Sequence, residues 1–248
     1  MKNADSWIPS KYVYKNNKLI GSRDPAQLSI ASRILGDVIA TQYDESLKLY
    51  AHGKLLDLGC GKVPFYLVYK SLVSKAICVD WTNTLHKNIF LDYQCDINGV
   101  LPFRDNEFDT IILSDVLEHI AEPQKLWNEI SRILSPNGRL IMNTPFFYQL
   151  HEKPYDYYRF TEFALKRFAS NSGLTILQLK SLGGIPMIAA DLIAKSLIKL
   201  PLVGRISTIM VNAIFKLLLN TSLVKYWSRS TSVNFPIGYF LIAEKKIY

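Results

Sequence analysis

The 248 residues carry 29 Lys and Arg against 21 Asp and Glu, a net charge of +8, and 49% of them are hydrophobic. That much apolar material fills a core of ordinary domain size and excludes wholesale disorder. Three cysteines, Cys60, Cys78 and Cys95, are too few for a disulfide framework and lack zinc-site spacing. They are expected to be reduced thiols of a cytoplasmic chain.

The opening Met1–Tyr12 segment has no apolar run after its first lysine, so no secretory signal is expected there. Residues 1–27 have no clear period and predict an arm over part of a site or core. A helix is predicted near 28–48, because Ile30, Ile34, Leu35, Val38 and Ile39 share one face. Short apolar runs then alternate with helical patterns. Lys54–Leu58, Ala76–Val79, Ile89–Leu91, Phe108–Leu113 and Arg139–Asn143 predict strands, the last preceded by an Asn137-Gly138 turn, and Pro123–Leu134 a helix. Phe163–Ser170 predicts a further helix, Leu174–Leu179 a sixth strand and Tyr239–Ala243 a seventh. Apolar strands separated by helices require a parallel sheet covered on both faces.

The chemistry gathers at the strand ends. Leu55-Leu56-Asp57-Leu58-Gly59-Cys60-Gly61 runs a strand into a D-x-G-x-G turn, where glycine permits positive φ and close approach of a ligand to the backbone. A helix should follow, with free N–H groups at its start. The G-x-G-x-x-G spacing of dinucleotide folds is absent. Asp80 ends the second strand about twenty residues on, the position that hydrogen-bonds a ribose in such sheets. Asp96-Ile97 follows the third strand and Ser114-Asp115 ends the fourth. A Rossmann-like sheet binding another nucleotide is the competing reading.

These motifs, together with L-P-F-R-D-N-E-F-D-T-I-I-L-S-D-V-L-E-H-I, resemble the class I S-adenosylmethionine-dependent methyltransferases over roughly residues 50–182 and the last strand. The resemblance implies an α/β, Rossmann-like, doubly wound seven-stranded sheet with a C-terminal helical insertion before the last strand. It implies one methyltransferase domain over 1–248: arm and helix 1–49, cofactor core 50–182, insertion 183–235 and final strand 236–248. The implied cofactor is S-adenosyl-L-methionine. Asp57, Gly59, Cys60 and Gly61 would line its methionine side, Asp80 and Trp81 its ribose, and Asp96 and Ile97 its adenine, with Ser114 adding backbone contacts.

Methyl transfer from a sulfonium needs an aligned acceptor and, for a hydroxyl, a group that removes its proton. The loop Pro145–Thr161 starts at the expected cofactor edge. In it His151 has a suitable reference pKa, about 6.5, for a base. Asp156 could orient the imidazole or bind a sugar hydroxyl, while Tyr158 and Arg159, with Tyr157, could stack on or clamp the acceptor. The structural alternative pairs Arg159 with Asp156 and caps the next helix with Thr161, Glu162 lying in its first turn. The loop, W-I-P-S-K-Y-V-Y and S-R-D-P resemble bacterial methyltransferases associated with cell-surface polysaccharide and glycolipid assembly, which implies a glycan, glycolipid or other small-molecule acceptor. Asp115, Glu118 and His119, with His151 later, are similar to the E-x-x-E-H pattern of some divalent-ion O-methyltransferases. Asp115 departs from that pattern, metal-free members also carry L-E-H-I, and no metal is expected.

From Lys180 onward nine basic residues oppose two acidic ones, so +7 of the net charge sits there. Residues 185–220 predict two helical stretches around Pro201 and Gly204. Asp191, Lys195 and Lys199 form one polar row, and Thr208, Asn212, Lys216 and Asn220 another, on otherwise apolar surfaces. Each piece is shorter than the about twenty residues of a span. The hairpin is expected either to lie on an anionic membrane with its lysines toward head groups, making the chain peripheral at the inner face, or to form a lid or homodimer surface. The functional expectation is O-methylation of a sugar or lipid-linked glycan at a membrane surface. RNA or small-molecule methylation, and a non-catalytic cofactor-binding scaffold, are the alternatives; nucleic acid fits less well because the basic region is so apolar.

Overall fold

The computed structural model of the chain describes residues 1–81 and 88–246. In chain order the strands are β1 (Tyr12–Lys15), β2 (Lys18–Gly21), β3 (Lys54–Leu58), β4 (Lys75–Asp80), β5 (Tyr93–Gln94), β6 (Phe108–Ser114), β7 (Leu134–Pro145), β8 (Leu174–Leu182) and β9 (Gly238–Lys245). The helices are α1 (Arg33–Tyr50), α2 (Tyr66–Tyr69), α3 (Pro123–Ile133), α4 (Glu162–Asn171), α5 (Ile185–Leu197), α6 (Gly204–Leu219) and α7 (Ser222–Ser232). Two compact units result: residues 1–8, 45–180 and 239–248, and residues 9–44 and 181–238.

The first unit is built on a seven-stranded sheet in the order β5-β4-β3-β6-β7-β9-β8. Pairing is parallel from β5 through β7. The apolar runs predicted this layer: Leu55, Leu56, Leu58, Ile111, Ile112 and Leu113 are fully buried, as a sheet covered on both faces requires. Helix α3 starts with Pro123 at its first turn, where a missing N–H costs nothing. It buries Leu126, Trp127, Ile130 and Ile133, one stripe at helical spacing. Thr161 caps α4, its hydroxyl accepting from the Ala164 N–H at 3.3 Å, with Glu162 in the first turn.

Several expectations are corrected here. Ile89–Leu91 is not a strand; the third strand of this sheet in chain order is the two-residue β5 at Tyr93–Gln94, on the sheet's edge. A strand that short and exposed on both residues leaves no alternation to read. The Asn137-Gly138 turn lies inside β7: the register jumps from Phe108↔Leu134 to Thr110↔Arg139, with Asn137 at φ 63°. The segment assigned to the final strand, 236–248, runs past Lys246 and there lies outside the described residues.

In the second unit, β1 and β2 form an antiparallel hairpin within the segment read as an arm. Asn16 and Asn17, both at positive φ, make its turn. Helices α5 and α6 realise the two stretches expected around Pro201 and Gly204, and α7 is additional. Their orientation reverses one expectation. Asp191 and Lys195 are buried and paired at 2.5 Å, so Lys195 does not point outward. On α6, Thr208 is fully buried, the Asn212 amide donates to the Ile30 carbonyl at 2.6 Å, and Lys216 reaches Asp37 at 3.7 Å. Asp191, Lys195, Thr208 and Asn212 face the unit's interior, while Lys199, Lys216 and Asn220 at the ends of the rows are exposed. Ile206, Ile209, Met210, Ile214, Leu217 and Leu218 are exposed as well. No single helix among the described residues is long and apolar enough to cross a membrane; α6 and α7, bent by 91°, meet that composition only as a pair.

Candidate active site

The site forms at the carboxyl ends of β3, β4, β6 and β7, all in the first unit. Gly59 and Gly61 take φ of 72° and 50°, which make the turn after β3. The Gly59 and Cys60 N–H groups donate to the Val79 carbonyl at 2.8 and 3.0 Å, tying the turn to β4. The Gly61 N–H donates to Asp80 Oδ2 at 3.0 Å, and the Trp81 N–H to Asp80 Oδ1 at 2.9 Å. The helix expected after this turn shrinks to the four residues of α2. Its dipole is therefore slight, and the carboxylates dominate the field at this edge.

The two glycines have different surroundings. A Cβ on Gly59 would meet Val116 Cγ2 at 2.5 Å, whereas one on Gly61 would meet nothing within 4 Å among the described residues. Gly59→Ala should therefore cost at least about 2 kcal/mol, from left-handed backbone strain plus overpacking. Gly61→Ala adds only the strain, about 1–2 kcal/mol, and sets its methyl in the space left open for a ligand. Chemical denaturation and cofactor titration of the two variants should separate them: Gly59→Ala loses more stability, and Gly61→Ala loses affinity out of proportion to its stability.

Asp57 lies beneath the turn, buried, and accepts from the Tyr69 hydroxyl at 3.0 Å. Burial pushes its carboxyl up to about 7; the Tyr69 hydrogen bond opposes the rise and the neighbouring Asp80 adds to it. Burial also pushes the Cys60 thiol well up, so Cys60 is a packed thiol and not a nucleophile. Asp96 is exposed and accepts from the Asn98 backbone and side-chain amides, each at 2.9 Å, while Ile97 beside it is buried. Ser114 donates to Asn143 Oδ1 at 2.8 Å. The structure thus puts Asp57, Gly59, Cys60, Gly61, Asp80 and Trp81 in one cluster, with Ser114 on β6 next to β3 and Asp96 and Ile97 beyond β5.

The loop after β7 folds over the same edge. Asp156, 2% exposed at its side chain, accepts from Arg159 at 2.6 and 2.8 Å and from the His151 backbone N–H at 2.9 Å. The Arg159 guanidinium holds the Asp156 carboxyl well below the usual carboxylate range. Arg159 also donates to the Tyr158 and Gln149 carbonyls, and the Tyr158 hydroxyl to the Ala121 carbonyl at 2.9 Å. Asp156, Arg159 and Tyr158 therefore shape the loop, and His151 is the member of that group presented by it. Trp81 meets Tyr155 edge to face at 4.9 Å, which joins the loop to the Asp57–Trp81 cluster.

Beneath His151 lies a residue that the motif reading left out of the catalytic set. Glu118, fully buried, has Oε1 3.7 Å from His151 Nε2 and 3.8 Å from His119 Nε2. Its backbone carbonyl accepts from the Tyr157 and Tyr158 N–H groups, anchoring the loop. Burial raises the Glu118 carboxyl, the nearby Asp115 adds to this, and His151 counters it only in part. Burial favours neutral His151, but the Glu118, Asp156 and Asp115 carboxylates outweigh it and raise the ring. The D-V-L-E-H run was the available sequence signal for Glu118, yet nothing in it shows that Glu118 and His151 meet.

Comparison with known proteins agrees with this geometry. Residues 56–142 match the methyltransferase domain family. An uncharacterized protein of Methanocaldococcus jannaschii is 32% identical over 143 residues, covering 56% of this chain and 57% of that protein. A ubiquinone/menaquinone biosynthesis C-methyltransferase of Roseobacter denitrificans is 32% identical over 124 residues, covering 43% and 49%. The chain thus spans about half the length of the curated relatives it matches. The crystal structure of a putative sarcosine dimethylglycine methyltransferase from Galdieria sulphuraria superposes with a TM-score of 0.56 at 16% identity, over 98% of this chain and 95% of that one. The fold is that of the class I methyltransferases, and residues 56–142 are similar to a methyltransferase domain.

Proposed function

We propose that this chain uses S-adenosylmethionine to methylate a hydroxyl of a lipid-linked acceptor at a membrane surface. The observation that carries the reading is the meeting, on one sheet edge, of the Asp57–Gly61 turn and Asp80 with the Glu118–His151 cluster. The cofactor supplies a methyl group on a positively charged sulfur. Gly61, open where a Cβ would stand, and the carboxylates of Asp57 and Asp80 suit a cation that approaches the backbone closely. Trp81 would flank the ribose, and Asp96 and Ile97 the adenine. His151 is assigned to acceptor activation, held by Asp156 and Arg159 behind it.

Support for a lipid-linked acceptor comes from the second unit. Helices α6 and α7 expose Ile206, Met210, Leu217, Leu223, Tyr226 and Trp227, while Thr208 and Asn212 of α6 turn inward. The same two helices carry exposed Arg205, Lys216, Lys225 and Arg229. Exposed apolar side chains accompanied by cations fit the interface of an anionic bilayer. The acceptor would be a lipid-linked sugar, as the loop's resemblance implies, or a lipid-linked ring hydroxyl, in the direction of the quinone-biosynthesis relatives. RNA methylation has no comparable support, because the basic face is also the most apolar one.

The test pairs two measurements on the full chain. Calorimetry should detect S-adenosylhomocysteine binding and none for NAD or FAD. Incubation with methyl-labelled cofactor should then label the lipid extract of cells, with mild acid hydrolysis separating sugar-linked from ring-linked label. Label in RNA alone would overturn the acceptor class, and nucleotide binding without S-adenosylhomocysteine binding would overturn the activity. Vesicles with anionic lipid should carry the protein upward on flotation, and Met210→Asp should reduce this.

A further inference from the structure

The S-R-D-P run has no part in the active site; it lies in the second unit, just after β2. Ser22 is buried and its hydroxyl accepts from the Asp24 N–H at 3.2 Å, while Asp24 Oδ1 accepts from the Ala26 N–H at 2.9 Å. The turn so made presents Arg23. Its guanidinium reaches both oxygens of Asp37, at 3.0 and 2.7 Å, and donates to the Gly21 carbonyl. Asp37 also accepts from the Gly21 N–H at 3.0 Å and has Lys216 Nζ at 3.7 Å. A second guanidinium, that of Arg33, donates to the Arg23 carbonyl. This is its one side-chain hydrogen bond among the described residues, and its Nε is buried without a partner. Arg205 begins the row of α6 that continues through Thr208, Asn212 and Lys216, and Asn212 ties that row to the Ile30 carbonyl. Arg205 itself is exposed and has no hydrogen bond or ion pair from its side chain among the described residues. Burial, then repulsion by Arg23 and Arg205, lowers the Arg33 guanidinium, and Asp37 opposes this.

Asp37 is the carboxylate that offsets this group, and Arg23 already occupies both of its oxygens. A guanidinium carries N–H donors in a planar fork suited to phosphate. Arg33 uses one donor on the protein and Arg205 none. Like charges gathered in this way repel one another and favour an incoming anion. Arg205 also opens the exposed apolar row of α6: Ile206, Met210, Ile214 and Leu217 follow it at helical spacing over about 16 Å. We propose that Arg23, Arg33 and Arg205 bind the phosphate of a phosphate-bearing lipid whose chain lies along the exposed row of α6. Three guanidiniums offer more donors than the two oxygens of a carboxylate can accept, whereas a phosphate adds a third acceptor and a second charge. Two lipids have this chemistry: an anionic phospholipid of the bilayer, and an acceptor joined to its lipid through phosphate. The second rests on the methylation reading, and the site itself does not.

The test is calorimetry of the full chain with decyl phosphate below its micelle concentration, and with inorganic phosphate beside it. Decyl phosphate should bind at a single site and at least about tenfold more tightly than inorganic phosphate, because its chain is buried. Arg33→Gln and Arg205→Gln, which remove charge-assisted hydrogen bonds, should each cost about 10–100-fold in affinity. Lys199→Gln, which removes an exposed charge beyond the end of α5, should cost less than about threefold. Arg33→Lys keeps the charge, lacks the fork and should still cost about tenfold. Arg205→Gln breaks no bond within the described residues, so it remains a test if Arg33→Gln does not fold. Unchanged affinity in Arg205→Gln overturns the site, as does an equal loss in Lys199→Gln, which would mark diffuse charge. Decyl phosphate that binds no better than inorganic phosphate overturns the lipid. Flotation and labelling separate the two lipids. Loss of flotation on phosphatidylglycerol vesicles in Arg205→Gln, with methyl transfer to detergent-dispersed lipid extract unchanged, assigns the site to the bilayer. A raised KM for that extract at unchanged kcat, with flotation retained, assigns it to the acceptor. Decyl phosphate binding by a chain that methylates no fraction leaves the site standing and overturns the methylation reading.

Discussion

His151→Ala should lower the rate of methyl transfer by about 10²–10⁴-fold, the usual range for losing a group that handles the acceptor's proton, while S-adenosylhomocysteine affinity stays within about twofold. Structural damage would not explain that loss. What fixes the loop is the His151 main chain: its N–H donates to Asp156, and Asp156 is gripped by Arg159. Alanine keeps the first bond and leaves the second untouched. The ring itself is in contact with His119 and Tyr148, with centroids 4.7 and 5.3 Å away, and its side chain is 23% exposed. Single-turnover transfer of labelled methyl, with denaturation in parallel, checks the expectation. Turnover within about threefold of the parent protein would take acceptor activation away from His151.

Asp57→Asn should separate stability from cofactor affinity, with opposite signs. The folded carboxyl titrates at about 7, against about 3.9 in an unfolded chain. Between these values the native state holds a proton that the unfolded state has released, so stability falls as pH rises. The contribution is fully present below about pH 4 and lost above about pH 7. A shift of three units corresponds to about 4 kcal/mol, an upper bound. Asparagine can still accept from Tyr69 and carries no charge to desolvate. Denaturation at pH 8 should therefore find Asp57→Asn more stable than the parent, and the decline from pH 4 to 7 should flatten. Cofactor affinity at pH 8 should drop, because an amide cannot offset the ligand's positive charge. In the parent protein, affinity should rise with pH through about 7 as Asp57 ionises. A flat stability profile in the parent would show that Asp57 is already ionised when folded.

The meeting of the glycine turn with Asp80 was legible because it is local. Asp57, Gly59 and Gly61 lie within five residues, and Asp80 ends a strand whose apolar run announces it. A parallel sheet with consecutive crossovers then has to place those strand ends on one edge. The acceptor half was only half legible. His151, Asp156 and Arg159 stand close together in sequence, and the Arg159–Asp156 pair and the Thr161 cap followed from residue type and spacing. Glu118 and His151 are 33 positions apart, and no periodicity encodes their meeting. It depends on β6 and β7 being neighbours and on the Glu118 carbonyl seizing the returning loop.

By itself the sequence determined the alternation of apolar strands and helices, the glycine turn with its carboxylates, and the concentration of charge and apolar surface after Lys180. These are properties of residue type and short spacing, which the backbone must express wherever it folds. The tertiary structure decided what such patterns leave free. A helical period fixes which residues share a face but not which face turns inward. On α5 the mutual neutralisation of Asp191 and Lys195 lets that pair be buried beside Ile188 and Ala194, and on α6 Asn212 finds a backbone carbonyl; the middle of each polar row turns inward, and the apolar row of α6 is left outside. The hairpin of β1 and β2 and the two-residue β5 were decided the same way, because strands that short draw their stability from pairing partners and not from their own pattern.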